Sequence, residues 1–130
     1  MRPINGAGAE PVNWLNYKTG IKHLYFRMDA DHEQASIAIE LYHPDPLVRQ
    51  QHFEKFRQLE KLLHQTLGEH WEWKFDSNDE EGRSFARIGI QVKGVSIFNT
   101  GDWSAIISFL KPRMLALDEF WNMVKDGFDQ

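Results

Sequence analysis

Cysteine is absent from the 130 residues of the sequence. Its absence excludes disulfide scaffolds, cysteine-ligated zinc or iron–sulfur sites and thiol nucleophiles. Long apolar runs are also absent, because no stretch approaches the roughly 18 residues that a membrane span needs. The start of the chain lacks the charged and then apolar pattern of a signal peptide. The lack of cysteine is compatible with a cytoplasmic protein but does not require one, and we expect no membrane segment.

Positive charge is scarcer than negative charge. The chain has 15 Lys and Arg residues against 19 Asp and Glu residues, which gives a formal net charge of −4. A protein of this charge repels nucleic acid as a whole, although a local basic face can still bind it. The sequence therefore disfavours non-specific nucleic-acid binding without excluding a local site.

Aromatic residues are plentiful, at 13% of the chain with nine Phe and five Trp. A chain of this length forms one domain, and we expect its core to be rich in aromatic side chains. Residues 1–13 are rich in Gly, Ala and Pro, which predicts an irregular N-terminal arm. Residues 14–130 are then predicted to form a single α+β domain.

Apolar and polar residues alternate over 22–28 and over 35–42, which is the period of a half-buried strand. The linker between the two stretches is short and polar, so the strands are predicted to form a hairpin. Pairing Phe26 with Ile37 places the large aliphatic side chains of both strands on one face. A one-residue slip would scramble that face, so we expect a well-specified register.

Further alternation predicts the second half of the sheet. Strands are expected over 71–75 and over 84–92, with Trp73 opposite Ile88. Lys93-Gly94 is a short turn signal. It predicts that the chain returns into a fifth strand through Val95 and Ile97.

Two stretches have the apolar spacing of helices. The first has Asp45 as its N-cap, Pro46 as its first residue and Gly68 as its stop signal. The second begins near residue 102 or 104 and keeps one phase through Pro112, which predicts a single kinked helix. The order β-β-α-β-β-β-α predicts an α+β two-layer sandwich, in which a mainly antiparallel sheet of about five strands has two helices on one face.

Four strings of the sequence are characteristic: NWLNYKTGIKHLYFRMDAD (13–31), IAIELYHPD (37–45), GVSIFNTGDW (94–103) and SFLKPRMLALDEFW (108–121). Together they resemble the bacterial family called domain of unknown function 4268, over nearly the whole chain. The resemblance implies an intracellular bacterial protein whose relatives carry an additional N-terminal helix. It also implies company with nuclease-like domains in longer proteins, but it supplies no catalytic residues.

The polar faces of the predicted strands carry aromatic and basic side chains that we single out as a binding or interface surface. They are Tyr25, Arg27, Tyr42, Lys74, Phe85, Arg87 and Phe98, with His23, Glu40 and Glu72 among them. Aromatic residues interleaved with basic residues on an open sheet can stack the bases of a single strand. The alternative is that the N-terminal arm or a second subunit covers this face.

Arg113 is a further candidate, because it falls inside the apolar arc of the last helix. An arginine in that position must reach solvent along its stem or find an anionic partner. We expect an internal salt bridge to Glu40, Asp102 or Asp118. The functional alternative is contact with an anion or phosphate.

Asp29, Asp31 and Glu40 resemble the acidic sets that hold magnesium in nucleases. The lysine expected two residues after the acid is missing, because Leu41 and Tyr42 follow Glu40. Acidic hairpin loops are usually solvated turns. A divalent-metal hydrolase is therefore the least favoured of the functions considered.

The sequence contains no complete catalytic motif, so we predict no catalytic residue, no metal ligand and no cofactor. The leading hypothesis is a non-catalytic interaction or self-association module with a homodimer or protein partner. The alternative is a nucleic-acid-associated accessory domain that partners nuclease-like domains, and the divalent-metal hydrolase comes third.

Overall fold

The computed structural model describes residues 17–128, so the predicted arm at 1–13 lies outside the described residues. Within these residues, four strands and three α-helices follow one another. They are β1 (Leu24–Ala30), β2 (Gln34–Leu41), α1 (Pro46–Gln58), α2 (Glu60–Leu67), β3 (Glu72–Asn78), β4 (Ser84–Lys93) and α3 (Trp103–Val124). The predicted α+β class is confirmed, with one strand fewer and one helix more than expected.

The four strands form one antiparallel sheet in the order β1-β2-β4-β3. The predicted fifth strand is wrong, because the chain turns away from β4 at Gly94, whose φ is 84°. The Ile97 N–H then donates to the Asp31 carbonyl at 2.9 Å, and the Ser96 N–H donates to Asp102 Oδ2 at 2.9 Å. These bonds dock residues 95–99 against the β1–β2 turn and the start of α3, so they do not pair along β4.

The register of the β1–β2 hairpin differs from the prediction by two residues. Phe26 pairs with Ile39, whereas Ile37 pairs with Met28. The turn is tighter than expected, because Asp31 Oδ1 accepts the N–H groups of residues 33 and 34. A two-residue shift keeps the same side chains on the same face. The apolar face was therefore correctly predicted, as was the pairing of Trp73 with Ile88.

Both predicted ends of the first helical stretch are confirmed. Asp45 Oδ1 accepts the Leu47 N–H at 2.9 Å, Pro46 opens α1, and Gly68 ends α2 in the left-handed conformation. The stretch is nevertheless two helices, because it breaks at Leu59.

The last helix, α3, is a single helix that runs through Pro112, as predicted. It begins at Trp103, and the Trp103 indole Nε1–H donates to the Ile97 carbonyl at 2.6 Å. The kink expected at Pro112 stays a prediction.

One hydrophobic core joins the helices to the sheet. It takes alternate residues of β1, β2 and β4, so the side chains between them point to the opposite side of the sheet. Burying each large apolar side chain stabilises the fold by about 1.5–3 kcal/mol. Its largest fully buried members include Phe26, Ile37, Ile39, Phe56, Phe120 and Trp121. Among residues 17–128, no helix packs on the other face of the sheet.

Candidate binding surface and its cleft

One row of side chains crosses all four strands on the face turned away from the core. Tyr25 pairs with Glu40, Glu40 pairs with Arg87, and Arg87 pairs with Lys74. We call this row, together with Arg27, the open face. The strand register therefore brings together four of the residues singled out from the sequence, although they are up to 62 positions apart (Arg87 minus Tyr25).

Glu40 holds two arginines on the open face. Arg27 Nε lies 2.9 Å from Glu40 Oε1, and Arg87 Nε lies 3.9 Å from Glu40 Oε2. Burial raises the pKa of the Glu40 carboxyl, although the two arginines act to lower it. The Arg27 guanidinium also lies 4.4 Å from the centre of the Tyr25 ring, while 51% of its side chain stays exposed. Arg27 therefore has contacts with Glu40 and with the Tyr25 ring while half of its side chain remains accessible to a partner.

Gly89 provides the space in which the Arg87 side chain lies. A Cβ at residue 89 would lie 2.7 Å from Arg87 Cζ and 2.8 Å from the Ala38 Cβ. The missing side chain lets the guanidinium lie over the sheet beside Glu40. The position of Arg87 thus depends on a glycine that the sequence pattern alone does not single out.

Tyr42 and Phe85 stack at the end of this face, with ring centres 4.6 Å apart and planes 6° from parallel. Burial, followed by the charges of Glu40 and Asp79, raises the pKa of Tyr42 to about 12. Phe85 is itself buried. Its ring therefore supports Tyr42 and is not a free platform for a base.

A cleft of about 610 Å³ opens beside these rings, between the start of β1, the end of β2 and the start of α1. Its polar and aromatic lining includes His23, Tyr25, Arg27, Tyr42, Arg49 and Arg83. His23 has a φ of 67°, a backbone conformation that non-glycine residues seldom adopt. Such conformations cluster at functional sites.

Arg49 and Arg83 are not among the residues that the sequence patterns singled out. Arg49 lies on α1 one turn before His52 and Phe53, so it shares their buried side of the helix. The signal was an arginine in an apolar stripe, the same signal that singled out Arg113. Arg83 lies in the turn before β4, where Asp79 binds its Nε at 2.8 Å.

Two predicted interface residues lie away from the open face. Phe98 is 81% exposed, but it belongs to the turn that replaces the expected fifth strand, so it is not on the sheet. Arg113 forms an internal salt bridge as expected, but with Glu69, at 2.7 and 3.0 Å. The three predicted partners were wrong. Asp102 instead accepts the Ser96 N–H, Asp118 accepts the Tyr17 hydroxyl, and Glu40 holds the arginines of the open face.

A family described as a domain of unknown function (DUF4268) matches residues 2–125. The chain belongs to the DUF4268 family. This confirms the resemblance drawn from the four sequence strings. No curated protein and no solved structure matches the chain.

The acidic hairpin of this DUF4268 domain has a structural role. The Asp31 carboxylate accepts two backbone N–H groups in the turn, and the bond from Glu33 is the main cause that lowers its pKa. Glu40 is bound to arginines. Within residues 17–128, no group of three His, Asp or Glu side chains is placed to hold a metal ion. The same span contains no helix with the length and apolar character of a membrane crossing.

Proposed function

We propose that this DUF4268 domain is a bacterial, cytoplasmic, non-catalytic interaction module that contacts its partner through the open face. The observation that carries the proposal is the Tyr25–Arg27–Glu40–Arg87 network. Its side chains are held by ion pairs and a ring contact, and none of the helices within residues 17–128 covers them. Tyrosine and arginine are the residue types that most often dominate binding energy at protein interfaces.

Self-association through this face is one form of the proposal. The fully buried centres of protein interfaces contain few charged residues, whereas the centre of the open face is charged. The open face therefore fits a polar contact better than an apolar one. In a symmetric dimer, Arg27 of each copy would need a carboxylate of the other. We therefore favour a homodimer or protein partner that supplies acidic side chains to Arg27.

A nucleic-acid-associated accessory role is the second candidate. It is supported by two guanidinium–ring pairs around the cleft, Arg27 on Tyr25 at 4.4 Å and Arg83 on Tyr42 at 5.4 Å. Such pairs can stack bases and neutralise phosphates at the same site. The net charge of −4 restricts this role to the local surface.

The test is the mass of the protein in solution, measured by light scattering at low and high salt, with and without a mixed oligonucleotide pool. We expect a mass above that of the monomer, and we expect Arg27→Ala to lower it. Lys61→Ala, at an exposed position of α2, is the matched control and should change nothing.

The conditions separate the two candidates. A dimer that ignores oligonucleotides supports self-association. A mass that rises with oligonucleotides only at low salt supports the nucleic-acid role, because phosphate contacts weaken steeply with salt. A monomer under every condition contradicts self-association and the nucleic-acid role.

A further inference from the structure

The cleft at the end of the open face has the size of a small-molecule site. Its volume of about 610 Å³ lies within the roughly 300–1,000 Å³ of typical ligand pockets. Arg27, Arg49 and Arg83 line it, and no carboxylate does so among the described residues. Arg27 pairs with Glu40 and Arg83 pairs with Asp79, so Arg49 is the lining arginine whose charge favours an anionic occupant.

Arg49 is the residue that most needs such an occupant. It is only 9% exposed, its Nη1 donates to the His43 carbonyl at 2.7 Å, and its Nε has no hydrogen-bond partner. Within residues 17–128, no carboxylate forms an ion pair with it. Burying a guanidinium without a counter-charge is costly. An anion in the cleft would relieve that cost.

Two carboxylates that lie close in sequence to the lining residues already have partners within the protein. Asp45 caps α1 through the Leu47 N–H, and Asp79 binds the Nε of Arg83 at 2.8 Å. Pro46, the first residue of α1, lines the cleft.

The tyrosines give the cleft a second recognition element. Tyr25 is 37% exposed, and its ring centre lies 6.1 Å from that of Tyr42 in an edge-on arrangement. Each ring has a guanidinium over it, Arg27 on Tyr25 and Arg83 on Tyr42. Exposed aromatic rings beside arginines are suited to stack a nucleobase while the arginines hold its phosphate.

We propose that the cleft binds a nucleotide, with the phosphate group on Arg49 and the base against Tyr25. The inference rests on the proposed binding role of this end of the sheet, and it names the chemistry of the ligand. A phosphate joined to a base can come from two sources, a free nucleotide and a nucleotide within a single strand. Both place a phosphate and a planar base in the same cleft.

Calorimetric titration of the full chain tests this inference. The probes are adenosine 5′-monophosphate (AMP), adenosine, inorganic phosphate, a short oligoadenylate and phosphotyrosine. We expect AMP to bind more tightly than adenosine or phosphate. Arg49→Met should weaken AMP binding about tenfold or more, because a charged hydrogen bond is lost. Lys61→Gln, at an exposed position of α2, should leave it unchanged.

Tyr25→Ala gives a second test at an exposed position, should Arg49→Met fail to fold. We expect it to weaken AMP binding at least about fivefold, because base stacking is lost, while phosphate binding stays the same. Oligoadenylate that binds more tightly than AMP and loses affinity with salt assigns the site to a single strand. Equal affinities assign it to the free nucleotide.

Three results would overturn the inference: no binding of AMP, equal binding of adenosine and AMP, or tighter binding of phosphotyrosine than of AMP. The last would assign the cleft to a phosphorylated peptide. The proposed function fails separately. Association that depends on Arg27 without AMP binding contradicts only the nucleotide inference. AMP binding by a chain that stays monomeric in every scattering condition contradicts only self-association through the open face.

Discussion

Arg49 and Arg113 lie in the apolar stripes of two helices, α1 and α3, but they differ in their ion-pair partners. Arg113 meets both oxygens of Glu69, and its Nη1 donates to the Phe109 carbonyl at 2.9 Å. Arg49 has one carbonyl and no carboxylate among the described residues. The charge of Arg113 is neutralised within the protein, whereas that of Arg49 is available to a ligand. A buried arginine marks a candidate site only after its internal partners have been counted.

Removing the Glu69 carboxylate should have the largest effect on stability, because it leaves Arg113 without a carboxylate partner, as Arg49 is. Glu69 also accepts the Trp71 indole N–H at 2.9 Å. We expect Glu69→Gln to lower the free energy of unfolding by about 1–3 kcal/mol, the range for charged hydrogen bonds. Urea denaturation measures the change, with Glu72→Gln on the exposed surface of β3 as control. Equal stability of the two variants would contradict the structural role of the Arg113–Glu69 pair.

Gly89→Ala tests a third arginine, Arg87, whose side chain occupies the space that residue 89 leaves open. The added Cβ meets Arg87, which can move, and the Ala38 Cβ, which cannot move without the backbone. We expect a loss in the lower part of the about 1–3 kcal/mol typical of overpacking. Association through the open face should weaken as well. Thermal unfolding and light scattering measure the two effects, and Gly127→Ala, where the Cβ meets nothing, is the control.

His52, on the same side of α1 as Arg49, should make stability depend on pH. Burial lowers its pKa below the ordinary value of 6.5, and the neighbouring charges of His43 and Lys55 act in the same direction. As the pH falls below 6.5, the unfolded chain gains a proton at His52 that the folded chain resists. The free energy of unfolding should therefore fall.

Urea midpoints at about pH 7.5 and about pH 5.5, on either side of the ordinary histidine pKa, measure this effect. His52→Gln should reduce the loss of stability on acidification. His32→Gln, in the exposed hairpin turn, is the matched control. A dependence on pH that is identical in the wild type and His52→Gln would rule out His52 as its source.

Arg49→Met should have the smallest effect on stability. It removes a buried charge that lacks a counter-ion and keeps an apolar side chain of similar length. We expect the free energy of unfolding to change by less than about 1 kcal/mol, since the lost bond to the His43 carbonyl is offset by the lower cost of burial. Arg113→Met should cost more, because it leaves Glu69 without its guanidinium. A larger loss for Arg49→Met would reverse the comparison.

Local sequence signals predicted most of the fold. Alternation located the four strands, Asp45 and Gly68 marked the ends of the first helical stretch, and one helical phase continued through Pro112. These signals succeed because strand period, capping and turn conformation depend on residues close together in the chain. Where a signal was weak, as for Lys93-Gly94, contacts with distant residues changed the outcome and removed the fifth strand.

The sequence predicted which side chains share the candidate surface, but it did not predict their ion pairs. Strand alternation alone placed Tyr25, Arg27 and Arg87 on one polar face, because side chains two residues apart share a side of a sheet. Only the tertiary structure decided which charges have partners. Glu69 reaches Arg113 across 44 positions of sequence, while Arg49 meets no carboxylate among the described residues. Ion pairing depends on distances of a few ångströms between elements far apart in the chain, which no local pattern specifies.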